Sequence, residues 1–122
     1  MSVGSRSEEP PGDTRVFRPR GIGARLRVLR GLPGAAGREF GLDTAVTTIG
    51  RRADQGIVLN HPSVSRSHAR IELGAWGAAI VDLGSTNGTL VDGLRLRGAR
   101  ATIRGGARIE IGAVMLEFLT SS

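Results

Sequence analysis

The chain has 122 residues, carries 17 basic residues against 11 acidic ones for a formal net charge of +6, and contains no cysteine. A chain of this length builds one hydrophobic core, burying roughly two thirds of the surface its unfolded form exposes. Disulfide frameworks and thiolate metal centres are excluded, and aromatic residues at 3% leave no stacking platform for single-stranded nucleic acid.

Every basic residue is an arginine, whose planar fork of donors suits phosphate and carboxylate, although a coding bias toward arginine gives the same composition. Residues 1–23 hold Pro10, Pro11, Gly12, Pro19, Gly21 and Gly23 among mixed charges, without apolar periodicity. They read as a flexible, disordered N-terminal tail. The first residues lack the basic-then-apolar order of a signal peptide, and no window approaches ~18 consecutive apolar residues. The expectation is a cytoplasmic protein with no membrane span.

From Ala24 the texture changes to short apolar runs separated by glycine-rich turns, at intervals of roughly 8 to 12 residues, the spacing of an all-β sandwich. In chain order the runs predict strands at 25–29, 39–42, 46–49, 56–59, 69–73, 78–82, 89–91, 94–96, 108–111 and 114–119. Alternation is clearest in Arg108-Ile109-Glu110-Ile111, which places isoleucines on one face and charges on the other. Pro33-Gly34, Asn87-Gly88, Asp92-Gly93 and Gly105-Gly106 supply turns. Trp76 falls in a turn of its own, Gly74 to Gly77, and is expected to pack over a sheet end rather than wait exposed for a partner. The architecture expected over residues 24–119 is an antiparallel β-sandwich of about ten or eleven strands.

Four polar segments adjoin predicted strand ends: Gly50-Arg51, Ser65-Arg66-Ser67-His68, Gly84-Ser85-Thr86-Asn87-Gly88 and Asp92-Gly93. Loops on a rigid scaffold are where binding residues gather. In order and spacing these segments resemble the forkhead-associated (FHA) family, with its Gly-Arg, Ser-x-x-His and Asn-Gly elements, over about residues 24–119. The resemblance implies a non-enzymatic module that binds phosphothreonine peptides, needs no cofactor or metal, and serves Ser/Thr kinase signalling. Arg51, Ser65 and Arg66 then hold the phosphate, with local backbone N–H groups, while Thr86 and Asn87 hold the peptide main chain. Gly50, His68 and Gly88 support the site structurally. The usual acid before the 57–59 run is Gly56 here, and the usual Gly-Asp turn is Gly106-Ala107, departures that remove turn-stabilising carboxylates.

Two competing readings are weaker. Ser65 three residues before His68 suggests hydrolysis, with Asp82 as the nearest acid, but no nucleophile elbow or oxyanion hole accompanies them. Arg95, Arg97, Arg100, Arg104 and Arg108 form a basic run that would suit nucleic acid, yet glycines and alternating leucines break it up. Finally, the tail segment Gly12-Asp13-Thr14-Arg15-Val16-Phe17-Arg18 resembles the phosphorylated tails of small bacterial FHA regulators, which bind their own phosphothreonine. Thr14 is the candidate phosphorylation site and the chain's own tail a candidate partner.

Overall fold

Period-two alternation decides the fold, because each strand must bury one face. The computed structural model describes residues 23–120, and the readings made on the tail, Thr14 included, lie outside them. Among the described residues there is no helix, and hence none long and apolar enough to cross a membrane. Eleven strands form: β1 (Arg25–Arg30), β2 (Glu39–Gly41), β3 (Val46–Gly50), β4 (Ile57–Val58), β5 (Ala69–Gly74) and β6 (Gly77–Asp82) come first. The rest are β7 (Thr89–Val91), β8 (Leu94–Leu96), β9 (Arg100–Ile103), β10 (Arg108–Ile111) and β11 (Val114–Leu119).

One sheet has the order β2-β1-β11-β10-β7-β8 and the other β4-β3-β5-β6-β9. Their inner faces meet in a single core: Leu26 and Val28 of β1 and Leu116 and Phe118 of β11 lie on one side, Ile49, Ile71 and Ile80 on the other. Outward positions carry charge, as where Glu39 accepts from Nε of both Arg25 (2.8 Å) and Arg27 (3.1 Å). All pairings are antiparallel except β3 with β4, which is parallel.

Ten predicted strands are present with end shifts of one or two residues, and β9 is the one the sequence reading missed. Its Arg-Ala-Thr-Ile pattern buries only Ile103 fully, too weak an alternation to separate from the surrounding basic run. That run does not form one stripe. Arg100 lies on β9 in the second sheet, where it pairs with Glu72 at 3.2 Å and stacks 5.0 Å from the Trp76 ring, while Arg95 and Arg108 belong to the first sheet. Trp76 itself is 57% exposed and lies across Gly74, where any Cβ would meet the indole nitrogen at 2.2 Å. It covers the outer sheet surface near a hairpin and stays open to solvent on its other face.

The strand directions give the sandwich two distinct poles. Gly50 ends β3, His68 precedes β5 and Asp82 ends β6, so these three chain reversals share one pole. Backbone bonds lock them in a row: His68 N–H donates to Ile49 O at 2.9 Å, and Leu83 N–H to His68 O at 2.9 Å. β1 starts opposite the end of β11, with Arg25 paired to Leu119. The chain therefore enters its first strand at the other pole.

Candidate functional site

The loops at the first pole are positioned by backbone approach, buried polar side chains and glycine geometry. Gly50 is buried at the end of β3, and a Cβ there would stand 2.1 Å from Arg66 O, so only glycine lets the two chain segments touch. The contact is continued by Arg51 N–H, which donates to Ser65 O at 3.0 Å. Arg51 Nε donates to Val64 O at 2.9 Å, which fixes the plane of the guanidinium. Among the described residues no carboxylate or carbonyl accepts from its two terminal nitrogens. The Arg66 side chain, exposed nearby, likewise has no ion-pair partner among them.

Ser65 connects two loops. Its hydroxyl oxygen accepts from Thr86 N–H at 3.0 Å, which leaves the hydroxyl hydrogen to donate outward. Its own N–H donates to His68 Nδ1 at 3.0 Å, so it is not among the local backbone donors open to a ligand. The other ring nitrogen of His68, Nε2, donates to Gly88 O at 2.9 Å. Since Nδ1 accepts, the bond pattern assigns the neutral Nε2–H tautomer. His68 is fully buried, and that desolvation pulls its pKa below the ordinary value of 6.5 against the opposing pull of Gly88 O and the Asp82 charge. With both nitrogens bonded to backbone, the imidazole has no lone pair to take a proton from a serine hydroxyl.

Asp82 organises the next loop. Its Oδ2 accepts from the N–H groups of Gly84 (3.1 Å), Ser85 (3.2 Å) and Gly98 (2.8 Å). Its Oδ1 accepts from the hydroxyls of Ser85 (2.6 Å) and Thr89 (2.7 Å). Burial pushes the Asp82 pKa up, but these bonds, led by that from Gly98 N–H, outweigh it and hold the carboxyl below its usual 3.8. Asp82 is thus a fixed anion around which the loop is organised. Gly88, buried with φ +76°, turns the chain back into β7, and Arg95 Nη1 donates to Asn87 O beside it. Asn87 Nδ2 donates one N–H to Ser63 O at 2.8 Å, which leaves its amide oxygen and the second N–H to face a ligand.

Arg51, Ser65, Arg66, Thr86 and Asn87 therefore share one pole, with Gly50, His68 and Gly88 beneath or between them. Two further residues build this pole: Asp82, named from the sequence only as the nearest acid of the weaker hydrolase reading, and Ser63, which the sequence did not single out. Asp82 carries a local signal, since an aspartate followed at two and three positions by turn residues forms an Asx-type turn. Ser63 carries none: its Oγ accepts from Ala113 N–H at 2.8 Å, 50 residues away, and contacts His61 Nδ1 at 2.7 Å. Side chains also hold the backbone near the two places where the family's usual acids are absent. Thr48 Oγ1 accepts from Gly56 N–H at 2.9 Å, and Asp92 Oδ1 from Arg108 N–H at 2.9 Å.

An all-β sandwich whose loops gather exposed arginines and hydroxyls over a buried histidine brace belongs to the class of loop-based recognition domains. The family model of the FHA domain matches residues 47–112, and the chain belongs to the FHA domain family. It is 40% identical over 98 residues to the glycogen accumulation regulator GarA of Mycobacterium tuberculosis, a match covering 80% of this chain and 59% of that protein. The chain thus spans about three fifths of the length of that relative. It is 37% identical over 122 residues to the oxoglutarate dehydrogenase inhibitor of Corynebacterium jeikeium, covering 100% of this chain and 81% of that protein. Among solved structures, Mycobacterium tuberculosis EmbR in complex with a low-affinity phosphopeptide superposes with a TM-score of 0.73 at 36% identity. That match covers 82% of this chain and 25% of EmbR.

Proposed function

We propose that residues 24–119 form a phosphothreonine-peptide-binding module of Ser/Thr kinase signalling and that the chain is a regulator rather than an enzyme. The observation that carries this reading is the Arg51 guanidinium, steered by the Val64 carbonyl and left with its terminal donors open beside the Ser65 hydroxyl. A dianionic phosphoryl group takes two or three charge-assisted bonds from such a set. Arg66 adds a second cation, and the Asn87 amide oxygen and Thr86 hydroxyl engage the peptide main chain. Family membership and the phosphopeptide bound by EmbR support the same reading. Fluorescence anisotropy with matched phosphothreonine, phosphoserine and unmodified peptides tests it. Phosphothreonine should bind tightest, and equal affinity for all three would overturn the proposal.

The finer reading is self-inhibition, in which phosphorylated Thr14 in the tail occupies the same site. Tethering gives an effective concentration of about millimolar for a short flexible linker, so modest affinity suffices. Because β1 starts at the pole opposite the site, the linker has to run along the sandwich. About ten residues separate Thr14 from Ala24, a reach of at most ~35 Å, while a six-residue strand spans ~20 Å before its loops are added. Closure therefore requires a nearly extended linker. Comparing external phosphopeptide binding by unmodified protein, by protein phosphorylated at Thr14 and by phosphorylated Arg51→Ala protein tests the switch. Unchanged external binding after phosphorylation would exclude it.

A further inference from the structure

The arginines differ in how far they are neutralised. On the strand faces Arg25 and Arg27 pair with Glu39, and Arg70 and Arg100 with Glu72, while Arg30 and Arg108 have no ion pair among the described residues. At the loop pole Arg52 has Asp54 at 3.0 Å, but Arg51, Arg66, Arg95 and Arg97 have no carboxylate partner among the described residues. Asp82, the other acid at this pole, is buried and fully engaged by hydrogen-bond donors. The pole therefore presents more positive charge than one phosphate needs.

The backbone that carries Arg95 and Arg97 is also held in place. Arg95 lies on β8 and Arg97 in the bend that follows it. Leu96, between them, pairs with Thr89 at the foot of the Thr86–Asn87 loop, and Gly98 donates its N–H to Asp82. Arg95 stretches across Gly88, its Cγ 3.1 Å from where a Cβ would sit, and donates one Nη1 bond to Asn87 O. That leaves most of its donors unspent next to the residue assigned to the peptide main chain. Arg97 is exposed and bonds to no described residue.

From this arrangement we infer that Arg95 and Arg97 form a second anion subsite that selects phosphothreonine peptides carrying acidic side chains beside the phosphorylated residue. The inference rests on the phosphopeptide reading above. Extended peptide places a flanking side chain roughly 3.3 Å further along per residue, so a carboxylate a few residues from the phosphothreonine reaches past Asn87 toward these guanidiniums. Each pair is solvent-exposed and individually weak, so the two together amount to a preference of roughly threefold to tenfold at low salt.

The test uses the full chain and four phosphothreonine peptides: neutral flanks, two aspartates before the phosphothreonine, two aspartates after it, and lysines in place of the favoured aspartates. One aspartate peptide should bind roughly threefold to tenfold tighter than the neutral one, with the advantage shrinking as salt rises. Arg97→Glu, at a side chain without described contacts, should abolish the advantage and make the lysine peptide the better ligand. Arg95→Gln keeps a donor for Asn87 O while removing the charge and should halve the preference or more. Equal affinity for neutral and both acidic peptides, with phosphate dependence intact, overturns the subsite and leaves the phosphopeptide reading standing. An acidic preference undiminished in both variants overturns the assignment to these residues. Loss of phosphate dependence in the unaltered chain overturns both readings together.

Discussion

His68 Nε2 lies 2.9 Å from Gly88 O, a buried bond between residues twenty positions apart that ties the Ser65 loop to the Asn87 loop. Through Nδ1 the same ring also holds Ser65 N–H, so this neutral imidazole is the buried link between two loops that are also joined by Thr86 N–H to Ser65 Oγ and Asn87 Nδ2 to Ser63 O. His68→Ala leaves a buried N–H and a buried carbonyl without partners, at a cost of ~1–3 kcal/mol each before relaxation. Urea denaturation should register a loss of at least ~2 kcal/mol, and phosphopeptide affinity should fall with it.

The same residue sets a pH dependence. Desolvation lowers the folded-state pKa of His68, so between that value and 6.5 the unfolded chain binds the proton more readily. Its contribution to stability is complete above pH 6.5 and declines as pH falls from there through the folded value. Urea midpoints measured from pH 7.5 to 5 should drop, and His68→Gln should flatten that part of the profile. Asp82 acts in a separate, more acidic window. Its contribution is present above pH 3.8 and is lost as pH falls through its lowered folded pKa.

Asp82 separates charge from shape. Asp82→Ala strands three N–H groups and two hydroxyls and should destabilise the fold by on the order of 3 kcal/mol. Asp82→Asn should cost less, because an amide oxygen can face the three N–H donors while its NH₂ faces hydroxyls able to reverse into acceptors. Thermal denaturation of the two variants gives the order; a larger loss for asparagine than for alanine would contradict the bonding described.

Gly50→Ala introduces a Cβ against Arg66 O, a backbone atom that cannot swing aside. The expected loss is ~1–3 kcal/mol of stability from overpacking, accompanied by chemical-shift changes centred on residues 65 to 68. A stable variant with unchanged shifts there would show that the two segments are not in contact.

Arg51→Ala should reduce phosphopeptide affinity by ~2–4 kcal/mol while changing the melting temperature little, since the side chain contributes one bond at the edge of the fold. Arg51→Lys should recover only part of the affinity. An ammonium keeps the charge but supplies neither the fork nor the Nε bond that aims it. Titration calorimetry on folded protein separates these outcomes.

What the sequence determined by itself was carried by local rules. Alternation in Arg108-Ile109-Glu110-Ile111 and turn chemistry at Asn87-Gly88 and Asp92-Gly93 specify strands and reversals without reference to distant residues, and the sandwich follows from them. β9 escaped because Ile103 is its only fully buried residue, with the small Ala101 half-buried against the core, and its place beside β6 is settled by cross-strand pairing. The polar segments were legible as loops with anion-compatible side chains. Which of their donors remain available was not legible: Ser65 N–H is consumed by His68, while the Arg51 guanidinium is aimed by Val64 O. Ser63, bonded to Asn87 and Ala113, had no readable signal at all. Hydrogen bonds between loops 20 to 50 residues apart have no period and no fixed spacing in the chain, so only the closed sandwich decides them.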